Sequence, residues 1–192
     1  MTGSSGVSPF LAVGLGNPGP DYEETRHNLG FEAVDRVAET LSATWRRGAG
    51  RWLEALADRK GVRVLLQKPM TYMNLSGDAV ASFVAIHRPE PERILIVCDD
   101  IDLPLGKLRL RKRGGAGGQK GLLSILEILG TEEVPRLRLG IGPKTGDASD
   151  FVLSPFDDPE RPAADEMLSR AKDLILELPG SDLDQVMNRY NR

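Results

Sequence analysis

Three short apolar runs, residues 10–15, 93–98 and 137–141, are separated by stretches of helical period, and this alternation constrains the chain more than any other feature. Helical spacing occurs at Phe31, Val34, Val37, Ala38 and Leu41, at Val80, Phe83 and Val84, and at Leu122, Leu123, Leu126 and Leu129. A long helix is predicted through Ala164, Met167, Leu168, Ala171, Leu174, Ile175 and Leu178, and a short one through Leu183, Val186, Met187 and Tyr190. Residues 51–68 alternate as a hairpin, with Leu53, Ala55 and Ala57 before a turn near Lys60-Gly61 and Val62, Val64 and Leu66 after it. Asn74 and Ser76 are N-cap candidates for the second helix, which Pro89 and Pro91 end. Strands joined through helices, interrupted by hairpins, predict an α/β domain with a mixed twisted sheet flanked by helices. At 192 residues the chain can bury one proper core. We read residues 10–192 as a single domain and the small, polar residues 1–9 as a flexible extension.

Charge is segregated along this frame. Residues 107–120 hold Lys107, Arg109, Arg111, Lys112, Arg113 and Lys120 and no acid; set against the net charge of −3, those six cations leave −9 for the remainder. Lys107 to Lys112 alternate with Leu108 and Leu110, which predicts a strand with one buried and one positive face. An acidic protein with a concentrated basic ribbon is suited to docking a polyanion at one place. No apolar run approaches a membrane span, and no secretory signal pattern opens the chain. Cys98 is the single cysteine, so there is no disulfide framework, and the expected compartment is the cytoplasm.

The chemistry-bearing residues fall in loops after strands, where sheet proteins of this class place their sites. After residues 10–15 come Asn17, Tyr22, Arg26, His27 and Asn28. Gly14-Leu-Gly16-Asn-Pro-Gly19 matches a dinucleotide fingerprint, but that motif needs a helix opening inside the turn. Pro18 and Pro20 favour extended backbone before them, and helical period starts only near Leu29. The glycine-rich stretch 114–121 lacks the Gly-Lys-Ser/Thr ending of a nucleotide-binding P-loop. It is either a connector or a loop presenting backbone amides to a phosphate or ester oxygen.

Asp99, Asp100 and Asp102, expected to follow the strand that ends at Cys98, can be read as a magnesium cluster. The preferred reading makes Asp99 the partner of a histidine base. No Gly-x-Ser-x-Gly elbow occurs, Cys98 reads as a packed thiol, and His87 as a solvated side chain at a helix end. A catalytic His27 therefore calls for water as its nucleophile.

Four stretches taken together resemble the bacterial peptidyl-tRNA hydrolase family. They are the residues from Gly14 through Tyr22 to Asn28, Pro69-Met-Thr-Tyr-Met-Asn-Leu-Ser-Gly77, Asp99-Asp-Ile-Asp-Leu-Pro104 and Gly114-Gly-Ala-Gly-Gly-Gln-Lys-Gly-Leu122, supported by Arg136-Leu-Arg-Leu-Gly-Ile-Gly142 and Phe151-Val-Leu153. The resemblance implies cleavage of the ester between a peptide and the 3′ end of tRNA, recycling tRNA from stalled translation, by a metal-independent monomer with no cofactor. It implies that His27 is the base acting on water, that Asp99 orients it, and that Asn17 distinguishes a blocked peptidyl-tRNA from a free aminoacyl-tRNA. Tyr22, Tyr72 and Asn74 correspond to substrate-contacting positions, and Lys120, Arg111 and Arg138 are the expected substrate and tRNA contacts on the basic side.

One departure stands out. The family commonly has His-Asn where this chain has Gln119-Lys120, and Lys120 cannot accept a hydrogen bond while protonated. Two other classes are weighed against the esterase: an RNA-binding relative without catalysis, like a chloroplast splicing factor of similar fold, and a metal-dependent hydrolase built on Asp99, Asp100 and Asp102.

Overall fold

A computed structural model describes residues 8–191. Seven strands form one sheet: β1 Phe10–Gly14, β2 Arg46–Arg47, β3 Trp52–Arg59, β4 Val62–Pro69, β5 Ile94–Pro104, β6 Leu108–Arg111 and β7 Arg136–Gly142. They lie in the order β2-β3-β4-β1-β5-β7-β6. The centre is parallel, with β1 between β4 and β5, and β5 beside β7. Both edges are antiparallel, which makes the sheet mixed as predicted. The β3–β4 hairpin turns at Lys60-Gly61, both at positive φ (50° and 78°), the primed-turn geometry that suits the strand twist. Of the predicted flexible extension, residues 1–7 lie outside the described residues. Ser8, within its last two positions, accepts a 3.1 Å hydrogen bond at Oγ from the Glu90 N–H.

Successive side chains of a strand face opposite ways, so each strand feeds two cores. On one face Ala12, Leu66, Leu95, Val97, Leu137 and Leu139 pack against α1 (Leu29–Thr40), α5 (Arg161–Glu177) and α6 (Leu183–Tyr190). On the other, Leu11, Val13, Leu65, Ile96 and Cys98 pack against α2 (Ser76–His87) and α3 (Lys120–Leu129). Phe83 of α2 is fully buried and meets Trp52 edge to face at 5.7 Å; side chains of this kind contribute about 1.5–3 kcal/mol each on burial. The result is a single α/β domain.

Two predicted features are corrected. The acids after Cys98 do not leave the sheet: β5 continues to Pro104, with a register shift between Asp100 and Pro104 where it pairs with β7. Acids read as turn formers in a sequence, but here Asp99 and Asp100 gain partners that only the fold supplies. His87, expected to be solvated, stacks on Phe83 at 4.2 Å, with its Nε2 3.8 Å from Glu54.

α1 docks on the sheet backbone to backbone. A Cβ on Gly30 would lie 2.4 Å from both Leu15 N and Val97 O, and one on Gly14 2.2 Å from Gly30 O. Two glycines, one at the end of β1 and one in the first turn of α1, thus set how closely the start of α1 approaches β1 and β5. Gly30→Ala is expected to lower unfolding free energy by about 1–3 kcal/mol, the usual cost of overpacking, measured by urea titration.

Candidate active site

The loop between β1 and α1 is locked from within. Leu15 N–H extends the sheet by donating to Val97 O at 2.9 Å. Asn17 N–H then donates to Asn28 Oδ1 at 2.8 Å, and Asn28 Nδ2 returns a bond to Asn17 O at 3.1 Å. Asn17 Oδ1 accepts from Met73 N–H at 2.9 Å, in the 3-10 turn Met73–Leu75. With its oxygen engaged, Asn17 keeps the two Nδ2 hydrogens for a ligand.

The far end of the loop is a second 3-10 turn, Arg26–Asn28. It brings His27 Nδ1 to 2.7 Å from Asp99 Oδ2. Asp99 is 3% exposed. An ionised carboxylate at that distance calls for the proton on Nδ1, which leaves the Nε2 lone pair as the free basic site. The neighbouring Arg26 ties this turn to the last third of the chain. Its guanidinium lies between the Phe151 and Phe156 rings, 4.6 Å from each centroid, and its Nη2 meets Glu160 Oε2 at 2.7 Å. Backbone joins in, with Arg26 N–H donating to Ser154 O at 3.0 Å. Burial works to raise the Glu160 carboxyl, but hydrogen bonds from Arg26 and the Asp157 N–H, with the Arg26 charge, hold it below the usual carboxylate range.

Strand alternation separates the acids. Asp99 points to His27, whereas Asp100 Oδ2 meets Arg138 Nη1 at 3.1 Å on β7. Asp102 is exposed and donates its backbone N–H to Asp100 Oδ1 at 2.9 Å. Among the described residues no three His, Cys, Asp or Glu side chains converge to hold a metal ion. The adjoining Cys98 is 1% exposed. Burial, reinforced by Asp99, pushes its thiol up to about 12, so it stays protonated and unreactive at neutral pH.

These groups open on a cleft of about 780 Å³. It brings together Asn17, His27, Tyr72, Asn74, Asp99, Lys120 and Arg138 from the sequence-derived set. Tyr22 lies outside the lining and meets Tyr72 edge to face at 6.4 Å, bracing a ring that is 55% exposed. Arg111 also lies outside. It sits on the edge strand β6, where the register sets Arg109 opposite Arg138 and Arg111 opposite Arg136 on one face. Asn74 caps no helix: α2 has no side-chain N-cap bond, and Asn74 faces the cleft from the preceding turn.

Sequence reasoning missed two parts of the cleft. One wall is the short helix α4 (Ala148–Val152) with Leu153, opened by Asp147, whose Oδ1 accepts from Ser149 N–H at 2.8 Å. An acid two residues before a serine and just ahead of Phe151-Val152 is a readable capping signal. The other is the role of Gln119, which the sequence marked only as a departure from the family pattern: its Nε2 donates to Asp99 Oδ1 at 3.1 Å. No local pattern announces that contact.

The family model described as peptidyl-tRNA hydrolase matches residues 11–192. A peptidyl-tRNA hydrolase of Chlorobium phaeovibrioides is 45% identical over 185 residues, covering 95% of this chain and 97% of its own. One of Chloroflexus aggregans is 47% identical, covering 95% and 98%. The crystal structure of peptidyl-tRNA hydrolase from Acinetobacter baumannii superposes with a TM-score of 0.91 at 35% identity, covering 98% of this chain and 97% of that one. An Arabidopsis thaliana 5′-methylthioadenosine nucleosidase, 8% identical with a TM-score of 0.53, shares the fold alone. By the extent of these matches, from the first strand to the last helix, the chain belongs to the peptidyl-tRNA hydrolase family.

Proposed function

We propose that this chain hydrolyses the ester joining a peptide, or an N-blocked amino acid, to the 3′ end of tRNA, with His27 as the general base and Asp99 as its orienting partner. The observation that carries the reading is the 2.7 Å His27–Asp99 pair opening on the same cleft as Asn17. A water at Nε2 loses its proton to the imidazole as its oxygen bonds to the ester carbonyl carbon. The tetrahedral intermediate then collapses, the bond to the ribose oxygen breaks, and the imidazolium returns the proton to that oxygen. Base catalysis of this kind supplies about 10²–10⁴-fold. The ester is already activated, so it needs no stronger nucleophile than a positioned water.

Asn17 Nδ2 is placed to donate to a peptide carbonyl or to the developing oxyanion. That donor, fixed through Asn28 and Met73, supports its role in sorting blocked from unblocked substrates. Tyr72 and Asn74 contact the peptide and the terminal nucleoside, and Tyr22 acts through Tyr72. The enzyme works as a cytoplasmic monomer without metal or cofactor. Incubation with N-acetyl-aminoacyl-tRNA should release free tRNA and the N-acetyl amino acid while sparing unblocked aminoacyl-tRNA. Tight tRNA binding without turnover would instead favour the RNA-binding relative.

The acceptor stem is read as lying along the basic face of β6. Lys112 is paired with Asp184, Arg113 with Glu133 and Arg138 with Asp100. Lys107, Arg109, Arg111 and Lys120 have no ion-pair partner among the described residues, which leaves their charge for phosphates. The double variant Arg109→Glu, Arg111→Glu should weaken tRNA binding and reduce the slope of log affinity against log salt by about 1–2, at roughly 0.9 for each phosphate no longer neutralised. Filter binding across a salt series measures it, and an unchanged slope would remove β6 from the interface.

A further inference from the structure

Both carboxylate oxygens of Asp99 are occupied: Oδ2 by His27 Nδ1, and Oδ1 by the amide of Gln119 at 3.1 Å. We propose that Gln119 is a positioning residue for the base, fixing the plane of the Asp99 carboxylate so that the His27 ring is held in one orientation and one tautomer. The proposal rests on the reading of His27 as the base.

Three features of the molecule support it. The Gln119 amide is oriented from its other end, since Oε1 accepts from Leu122 N–H at 2.8 Å and caps α3. A flipped amide would set oxygen against carboxylate and NH₂ against N–H, losing both bonds. The loop carrying Gln119 is also held in advance. Arg138 Nη2 donates to Gly115 O at 2.9 Å and Arg136 Nη1 to the same carbonyl at 3.1 Å, so the loop enters the site from a fixed point. It crosses Gly117 and Gly118 at φ of 60° and 81° and runs directly into α3. Lastly, the donor is neutral. A carboxamide hydrogen bond aligns the carboxylate without cancelling the charge that stabilises the imidazolium, whereas a lysine or arginine in its place would cancel it. Gln119 therefore couples the glycine-rich loop to the base although it need touch no reacting atom.

Two substitutions separate this role from helix capping. Gln119→Ser keeps an N-cap acceptor but is too short to span to Asp99. Gln119→Glu keeps the acceptor and sets a second carboxylate against Asp99. The titratable and charged groups around the pair in the cleft are Cys98 and Asp100 of β5, Arg138 of β7, Lys120 of α3, Tyr72 and Asp147, and all are unchanged in both variants. Gln119→Ser is expected to lower kcat about tenfold, the scale of a hydrogen bond to a charged group, with KM within about twofold and the melting temperature unchanged. Gln119→Glu is expected to move the acid limb of the kcat profile up by about one pH unit, because added negative charge favours the protonated ring. Wild-type kcat and acid limb in both variants, beside an inactive His27→Ala control, would assign Gln119 to capping alone and overturn the proposal. A fully active His27→Ala control would overturn the base reading and this proposal together.

Discussion

His27→Ala should lower the turnover of N-acetyl-aminoacyl-tRNA by about 10²–10⁴-fold, the range that general-base catalysis supplies. Its affinity for tRNA should stay within about twofold of wild type. The two halves of that expectation come from different places in the fold. The imidazole sits in the 3-10 turn before α1, whereas two of the unpaired cations, Arg109 and Arg111, lie on the edge strand β6, on the far side of β7 from β5. Losing the ring therefore removes chemistry and leaves the phosphate contacts. Single-turnover rates and filter binding on the same variant test both halves. Full activity would end the reading of His27 as the base.

Asp99→Asn should be nearly as damaging, and for a reason the hydrogen-bond pattern makes specific. Gln119 Nε2 needs an acceptor where Asp99 Oδ1 now stands. An asparagine there turns its oxygen to Gln119 and so presents its NH₂ to His27. The imidazole must then accept at Nδ1, which moves its proton to Nε2 and blocks the atom that should take a proton from water. The same exchange in a serine protease triad costs about 10⁴-fold through the wrong tautomer. We expect about 10²–10⁴-fold in kcat here, with KM within about threefold. A variant that kept wild-type kcat would show that Asp99 does not orient the base.

The frame of the molecule was legible from periodicity. The strands at β1, β4 and β7, the hairpin turn at Lys60-Gly61 and the helices α1, α3 and α5 follow from spacing and turn chemistry alone. Where the sequence misled, the deciding partner lay far along the chain. Asp99 and Asp100 read as the end of a strand because isolated buried carboxylates are costly. They remain inside β5 because His27, 72 residues away, and Arg138, 38 residues away, offset that cost. His87 shows the same effect through Phe83 and Glu54. Asn17, His27 and Asp99 stood out from their motifs. The bond from Gln119 to Asp99 did not, because the amide does two jobs at once and only its capping role is local.

The clamp on Arg26 has a consequence for when the protein becomes competent during its own synthesis. The turn holding His27 is braced by Phe151, Phe156 and Glu160, the last of them 134 residues downstream. A nascent chain on the ribosome can pair β1 with β4 and β5 long before those residues leave the exit tunnel. Until they do, Arg26 lacks its rings and its carboxylate, and the α4 wall of the cleft does not exist. The cleft is therefore completed only once residues 148–160 have left the tunnel and met the turn that holds His27.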